Sequence, residues 1–136
     1  MMKLCTETIT VFNARMDDDR GYDIYIPTII RGVSWFCEIA STVDSSGLKA
    51  ANKFIIRIPD DADFSDKAYA APAAYVGGDP AILFTLKQGD IIIHGEETDV
   101  CTPAELTKKY GEIVTILGVT DNRRSPNAKH WKVVGA

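Results

Sequence analysis

The chain predicts a mostly β domain: a small antiparallel β-barrel or sandwich with one short helix and long loops. Three observations carry that prediction. Apolar residues alternate with polar ones in several short runs, which is the period of a half-buried strand. Only one segment carries paired helix signals. Gly, Pro, Asn and Asp cluster between the runs, as turn chemistry requires. The chain has 136 residues, enough to bury a core without staples, so a single domain over 1–136 is expected. Its 46% apolar and 25% charged residues match a soluble globular composition and exclude a fibrous or disordered one.

The first strand is expected over 6–14, with Ile9 and Val11 on one face and Thr10 and Phe12 on the other. Asp17, Asp18, Asp19, Arg20 and Gly21 then break it as a solvated turn. Residues 22–42 resume an extended pattern, placing Ile29, Val33, Trp35, Cys37 and Ile39 on one side and Ile30, Ser34, Phe36 and Glu38 on the other. Apolar groups on both sides imply a strand curled into a barrel or covered by a partner. Pro27 has no amide proton for a ladder and marks an edge or a bend.

A polar linker, TVDSSGLKAAN, leads to KFIIRIP, whose Phe54, Ile56 and Ile58 point one way and Lys53 and Arg57 the other. Residues 60–82 are rich in Ala, Gly, Pro and Asp without a sustained period, so 43–82 reads as a loop-rich insertion. Apolar segments follow at 82–86 and 91–93, separated by the turn residues Lys87 to Asp90. The helix is expected over 103–110: Thr102 suits the N-cap, Pro103 the first position, Glu105 the capping box and Gly111 the left-handed stop. Strands at 113–119 and 129–134, joined by DNRRSPNA, complete the order. The expected common core holds Trp35, Phe54, Ile56, Ile92, Ile116 and Val133.

Three scattered cysteines, Cys5, Cys37 and Cys101, allow no disulfide framework or zinc spacing and suit a reducing compartment. Cys37 reads as a small core residue, and Cys5 and Cys101 as partly exposed. The N-terminal segment lacks a signal-peptide core, and no run reaches the roughly 18 apolar residues of a membrane span, so synthesis in the cytoplasm and no membrane contact are expected.

No residue set reads as a catalytic centre, a metal site or a cofactor site. Asp61, Asp63 and Ser65 have the alternate spacing of an EF-hand start, but Asp66 and Pro72 stand where Gly and Glu are required. His94 and His130 show no spacing that would join them to a nucleophile such as Cys101 or Ser125. Gly77-Gly78 is followed by Asp79-Pro80, so it is no phosphate loop. The net charge of -4 argues against a general nucleic-acid binder.

The strongest departure from this acidic average is Arg123, Arg124, Lys129 and Lys132 around Trp131. It reads as a solvated hairpin with one core tryptophan, as a docking patch, since Arg and Trp dominate the energetic centres of interfaces, or as a DNA contact, which the net charge of -4 weakens. Tyr69 and Tyr75, in the Ala-rich stretch 68–76, join these as candidate interface residues.

Taken together, TITVFNA with its acidic turn, LKQGDIIIHGE, EIVTILGVTDNRR and HWKVVGA resemble the head-closure, or stopper, proteins of the neck of long-tailed bacteriophages. The resemblance implies a non-enzymatic virion protein assembled in the bacterial host cytoplasm. It implies a homo-oligomeric ring between portal or adaptor and tail, which retains packaged DNA and lets it pass through the lumen without sequence-specific binding. Three other classes are consistent with the residues: a tail terminator, a small nucleic-acid-binding β-barrel, and a small hydrolase or metal enzyme.

Overall fold

The computed structural model describes residues 5–17, 21–44, 47–111, 113–124 and 126–136, with backbone alone at 17, 22, 39–44 and 47–52. Six strands close an antiparallel barrel in the order β1-β2-β3-β8-β7-β6: β1 (Glu7–Asp17), β2 (Tyr22–Asp44), β3 (Gly47–Pro59), β6 (Ile91–His94), β7 (Val114–Asp121) and β8 (His130–Gly135). Between β3 and β6 lie the two-residue strands β4 (Ala68–Tyr69) and β5 (Leu83–Phe84), which pair in parallel, and the short helix α1 (Pro72–Val76). The helix α2 (Pro103–Tyr110) connects β6 to β7. The mostly β class is thus realised as a barrel.

Alternation places Ile9, Val11, Ile56, Ile58, Ile92, Ile116 and Val133 inside, fully buried, with Phe54 and Trp131 beside them. Of the expected core, only Trp35 is half-buried, packed against this cluster at its edge. The opposite face of β1 is also covered: Phe12 joins Ile91, Ile93, Cys101 and Leu106 in a second cluster beneath α2. That double cover explains why β1 and β6 are apolar on both sides.

Two strand assignments change. The face assigned to β2 switches at Gly32, where φ is +89° and the pairing slips from Thr8↔Arg31 to Glu7↔Val33. The extra residue is a bulge, so Ile30 and Val33 both point inward while Ile29 is half-exposed. Cys37 is exposed, because β2 has there run past the start of β1; the side chain of Ile39 lies outside the described residues. Cys5 and Cys101 are instead buried, the latter within the cluster under α2.

The stretch expected as a polar linker is paired strand: β2 and β3 run together from Ser34↔Arg57 out to Asp44↔Gly47. Among the described residues, the portion beyond Cys37 and Phe54 pairs only with itself, a ribbon leaving the barrel. A ribbon without a core behind it needs no apolar alternation, so periodicity could not reveal it. The remaining insertion is ordered too, since Ala62, Phe64 and Tyr69 pack onto the barrel core. Its polar ties include Arg31 N–H to Asp63 O at 2.9 Å and Ser65 Oγ to Ile29 O at 2.7 Å. Pro27 sits where β2 has a single strand neighbour, β1, and needs no second ladder. In the acidic run, residues 18–20 lie outside the described residues.

Candidate functional site

The β7–β8 hairpin holds most of the candidate interface residues, and its first turn is built by Asp121. The Asp121 carboxylate accepts from the Arg123 backbone N–H at 3.0 Å, from Arg123 Nε at 2.9 Å and from Nη2 at 2.7 Å. These hydrogen bonds from Arg123 lower the Asp121 pKa to about 2. The clamped guanidinium lies 4.5 Å from the Trp131 ring centre and 5.1 Å from that of Tyr69. Trp131 and Tyr69 are themselves 4.8 Å apart. Tyr69, Arg123 and Trp131 are therefore one packed group, in which the cation covers the core aromatics.

This changes the reading of the patch. Trp131 is buried within the barrel core, and Arg123 folds back over it. Arg124 and Lys129 are exposed on the hairpin, and Lys132 is half-exposed on the outer side of β8. Tyr75 belongs elsewhere: it is buried on α1, and Arg15 lies 5.5 Å over its ring while donating to the Tyr75 carbonyl at 3.2 Å. The spacing of Tyr69 from Trp131, more than sixty residues in sequence, gave no signal that they would meet.

A site unremarked in the sequence lies on the outer face of β2, β3, β8 and β7. Cross-strand register aligns Phe36, Ile55 and Val134 in one row. At the far end, a bulge between Ile116 and Gly118 adds Leu117. Phe36 is 52% and Leu117 53% exposed, whereas Ile55 and Val134 are half-buried. The adjacent row brings Arg57 opposite Lys132. The parity of FIIRI and HWKVV contained this row, but a partner strand had to set the register.

At the other side, Glu97 secures α2. Its Oε2 accepts from Lys109 Nζ and, at 2.7 Å, from the Tyr110 hydroxyl; Oε1 accepts from the Thr98 and Asp99 amides at 3.1 and 3.2 Å. Glu97 is buried, and these donors, led by Lys109, hold its pKa down at about 2. The capping box forms as the sequence implies, Thr102 Oγ1 accepting from the Glu105 amide at 3.2 Å. Beside this end of α2 opens a cleft of about 450 Å³ lined by Asp99, Val100, Cys101, Glu105, Lys108 and Lys109.

Groups with latent chemistry are held by separate partners. His94 Nε2 meets Glu7 Oε2 at 2.9 Å and stacks on Trp35 at 4.5 Å, whereas His130 Nδ1 lies 2.6 Å from the Ala128 carbonyl. Asp90 is buried, accepting from Asn13 Nδ2 at 2.7 Å and Ala14 N–H at 3.1 Å, with Lys87 Nζ at 3.3 Å. Burial raises its pKa against the pull of those donors. Asp63 is tied to Arg31 and to the Ser65 amide. Among the described residues no group of three or more His, Cys, Asp or Glu gathers as a metal set, and no helix is long and apolar enough to cross a membrane. This arrangement offers surfaces, polar clips and an open cleft.

Neither the curated proteins nor the solved structures include a match to this chain. Residues 4–136 match a family of unknown function, DUF6751, and the chain belongs to that family.

Proposed function

We propose that the protein is a ring-forming structural component of the bacteriophage neck, joining portal to tail and helping to retain packaged DNA. The observation that carries the assembly part of this reading is the β2–β3 ribbon. From Glu38↔Lys53 to Asp44↔Gly47 seven residue pairs leave the barrel with strand edges unpaired among the described residues. At about 3.3 Å per residue this is a projection of roughly 23 Å. An isolated two-stranded hairpin is marginal in water, and open edges invite pairing with another chain. An assembly partner resolves both problems. The neck assignment rests on the arrangement of TITVFNA, LKQGDIIIHGE and HWKVVGA, and the family match neither adds to it nor opposes it.

The test is complementation of a phage or prophage whose own copy of this gene is deleted, scored by electron microscopy. The neck reading predicts separate heads and tails without the protein and joined particles with it. Joined particles in its absence would refute the reading.

One observation favours a second reading, a single-stranded nucleic-acid-binding barrel. Phe36 is an exposed ring diagonal to Arg57 on the neighbouring strand, with Lys132 opposite Arg57 one strand further, and such surfaces combine rings for stacking with cations for phosphate contact. Salt-dependent binding of oligo-dT, lost on Phe36→Ala, would support that reading; no binding at about 50 mM salt would exclude it.

A further inference from the structure

The barrel is covered on one side and open on the other. Helix α2 seals β1 and β6 through Leu106, whereas the Phe36–Ile55–Val134 row with Leu117 faces outward from β2, β3, β8 and β7. In the closed order β1-β2-β3-β8-β7-β6 the β3/β8 junction stands opposite the β6/β1 junction. The open row and the α2 cleft therefore occupy opposite sides of one molecule.

Their chemistry is complementary. The row is apolar, bordered on one side by the cations Arg57 and Lys132 and on the other by the register partners Glu38 and Lys53, one of each sign. The cleft presents Val100, 54% exposed, with Asp99 and Glu105 at its rim. Of the two lysines there, Lys109 is committed to Glu97, leaving Lys108 as the facing cation. A smaller adjoining cavity of about 120 Å³ shares Val100, Cys101 and Glu105 and adds Asp23. Acid outnumbers free base at the cleft, and base outnumbers acid around the row.

We infer that the occupant of the open face is a second copy of this chain: the Phe36–Leu117 row of one subunit seats on the Val100 cleft of the next. Opposed, unlike patches make a heterologous contact, which closes into a ring when the rotation between copies divides a full turn. Apolar contact supplies the attraction, and the Arg57/Lys132 to Asp99/Glu105 match sets the register. The inference rests on the ring-forming reading above and names the faces that form the ring.

The test uses two variants of the full chain, Phe36→Asp on the row and Val100→Asp in the cleft, studied by native mass spectrometry over rising concentration. Both residues are exposed, so thermal unfolding should change little; Leu117→Asp replaces the row variant if Phe36→Asp fails to fold. Wild type should form a closed oligomer, and each variant alone should be monomeric. An equimolar mixture should stop at heterodimers, because one variant keeps its cleft and the other its row. Wild type that stays monomeric, variants that assemble like wild type, or a mixture that gains no heterodimer would each overturn the inference. Oligo-dT binding lost with the row variant, with wild type monomeric, would assign the face to nucleic acid and overturn it too. Failed phage complementation alongside intact oligomers would sink the neck reading and leave this interface standing.

Discussion

Replacing Glu97 by Gln tests how α2 is fastened to the barrel, because the change keeps shape and removes charge. In the native clip Oε2 accepts from both Lys109 Nζ and Tyr110 Oη, and Oε1 from two backbone amides. A glutamine that keeps its oxygen toward the amides turns an NH2 toward Lys109. Tyr110 can rotate its hydroxyl and accept, but the ammonium cannot. The loss is thus the one charged hydrogen bond, about 1 kcal/mol for a buried carboxylate facing a solvent-screened ammonium. The Lys109 side chain is 55% exposed and can regain water, which keeps the cost below the figure for an ion stranded in a core. At roughly 4 °C per kcal/mol for a domain of this size, Tm should fall by about 4 °C at pH 7. Circular dichroism melts provide the assay, and pH provides the control. The folded-state pKa of Glu97 is lowered from 4.5 to about 2, so its contribution is complete above 4.5 and disappears as pH falls toward 2. The gap between wild type and variant should be roughly halved by pH 3. A Tm change under about 1 °C at pH 7, or a gap unchanged at pH 3, would refute the clip.

Other perturbations probe the core and the aromatic group. Ile56→Ala, at a fully buried position, should cost about 2 to 5 kcal/mol in urea unfolding, and a change near zero would contradict its inward placement. Gly135→Ala would drive a Cβ into Val114 Cγ1 and set it 2.7 Å from the Thr115 carbonyl oxygen. A methyl side chain cannot move aside and the carbonyl is backbone, so the cost should be about 1 to 3 kcal/mol, with unchanged stability showing that β7 and β8 are farther apart. Arg123→Ala should lower stability by about 1 to 2 kcal/mol and shift Trp131 fluorescence to the red as the ring loses its cover. The same change at exposed Arg124 should stay within about 0.5 kcal/mol. Equal effects at the two arginines would remove the distinction drawn between them.

Local pattern in the sequence determined the elements that bury one face. Alternation marked KFIIRIP and the strands around Ile116 and Val133, and capping chemistry placed α2 at the residues where it forms. These signals are legible because burial and end-capping act over a few neighbouring residues. Tertiary structure alone decided the rest. The Gly32 bulge, which turns Ile30 and Val33 to the same side, exists only in pairing with β1. The ribbon over Ser41, Thr42, Lys49 and Ala50 is held by backbone pairing, which leaves no apolar period to read. Arg123 was legible as a cation but not as the lid of Trp131, since Asp121 and Tyr69 converge on it from different elements. The outer row needed register as well as parity: one residue of slip on any of its strands would turn that strand's contribution inward, and sequence pattern does not encode which strands are neighbours.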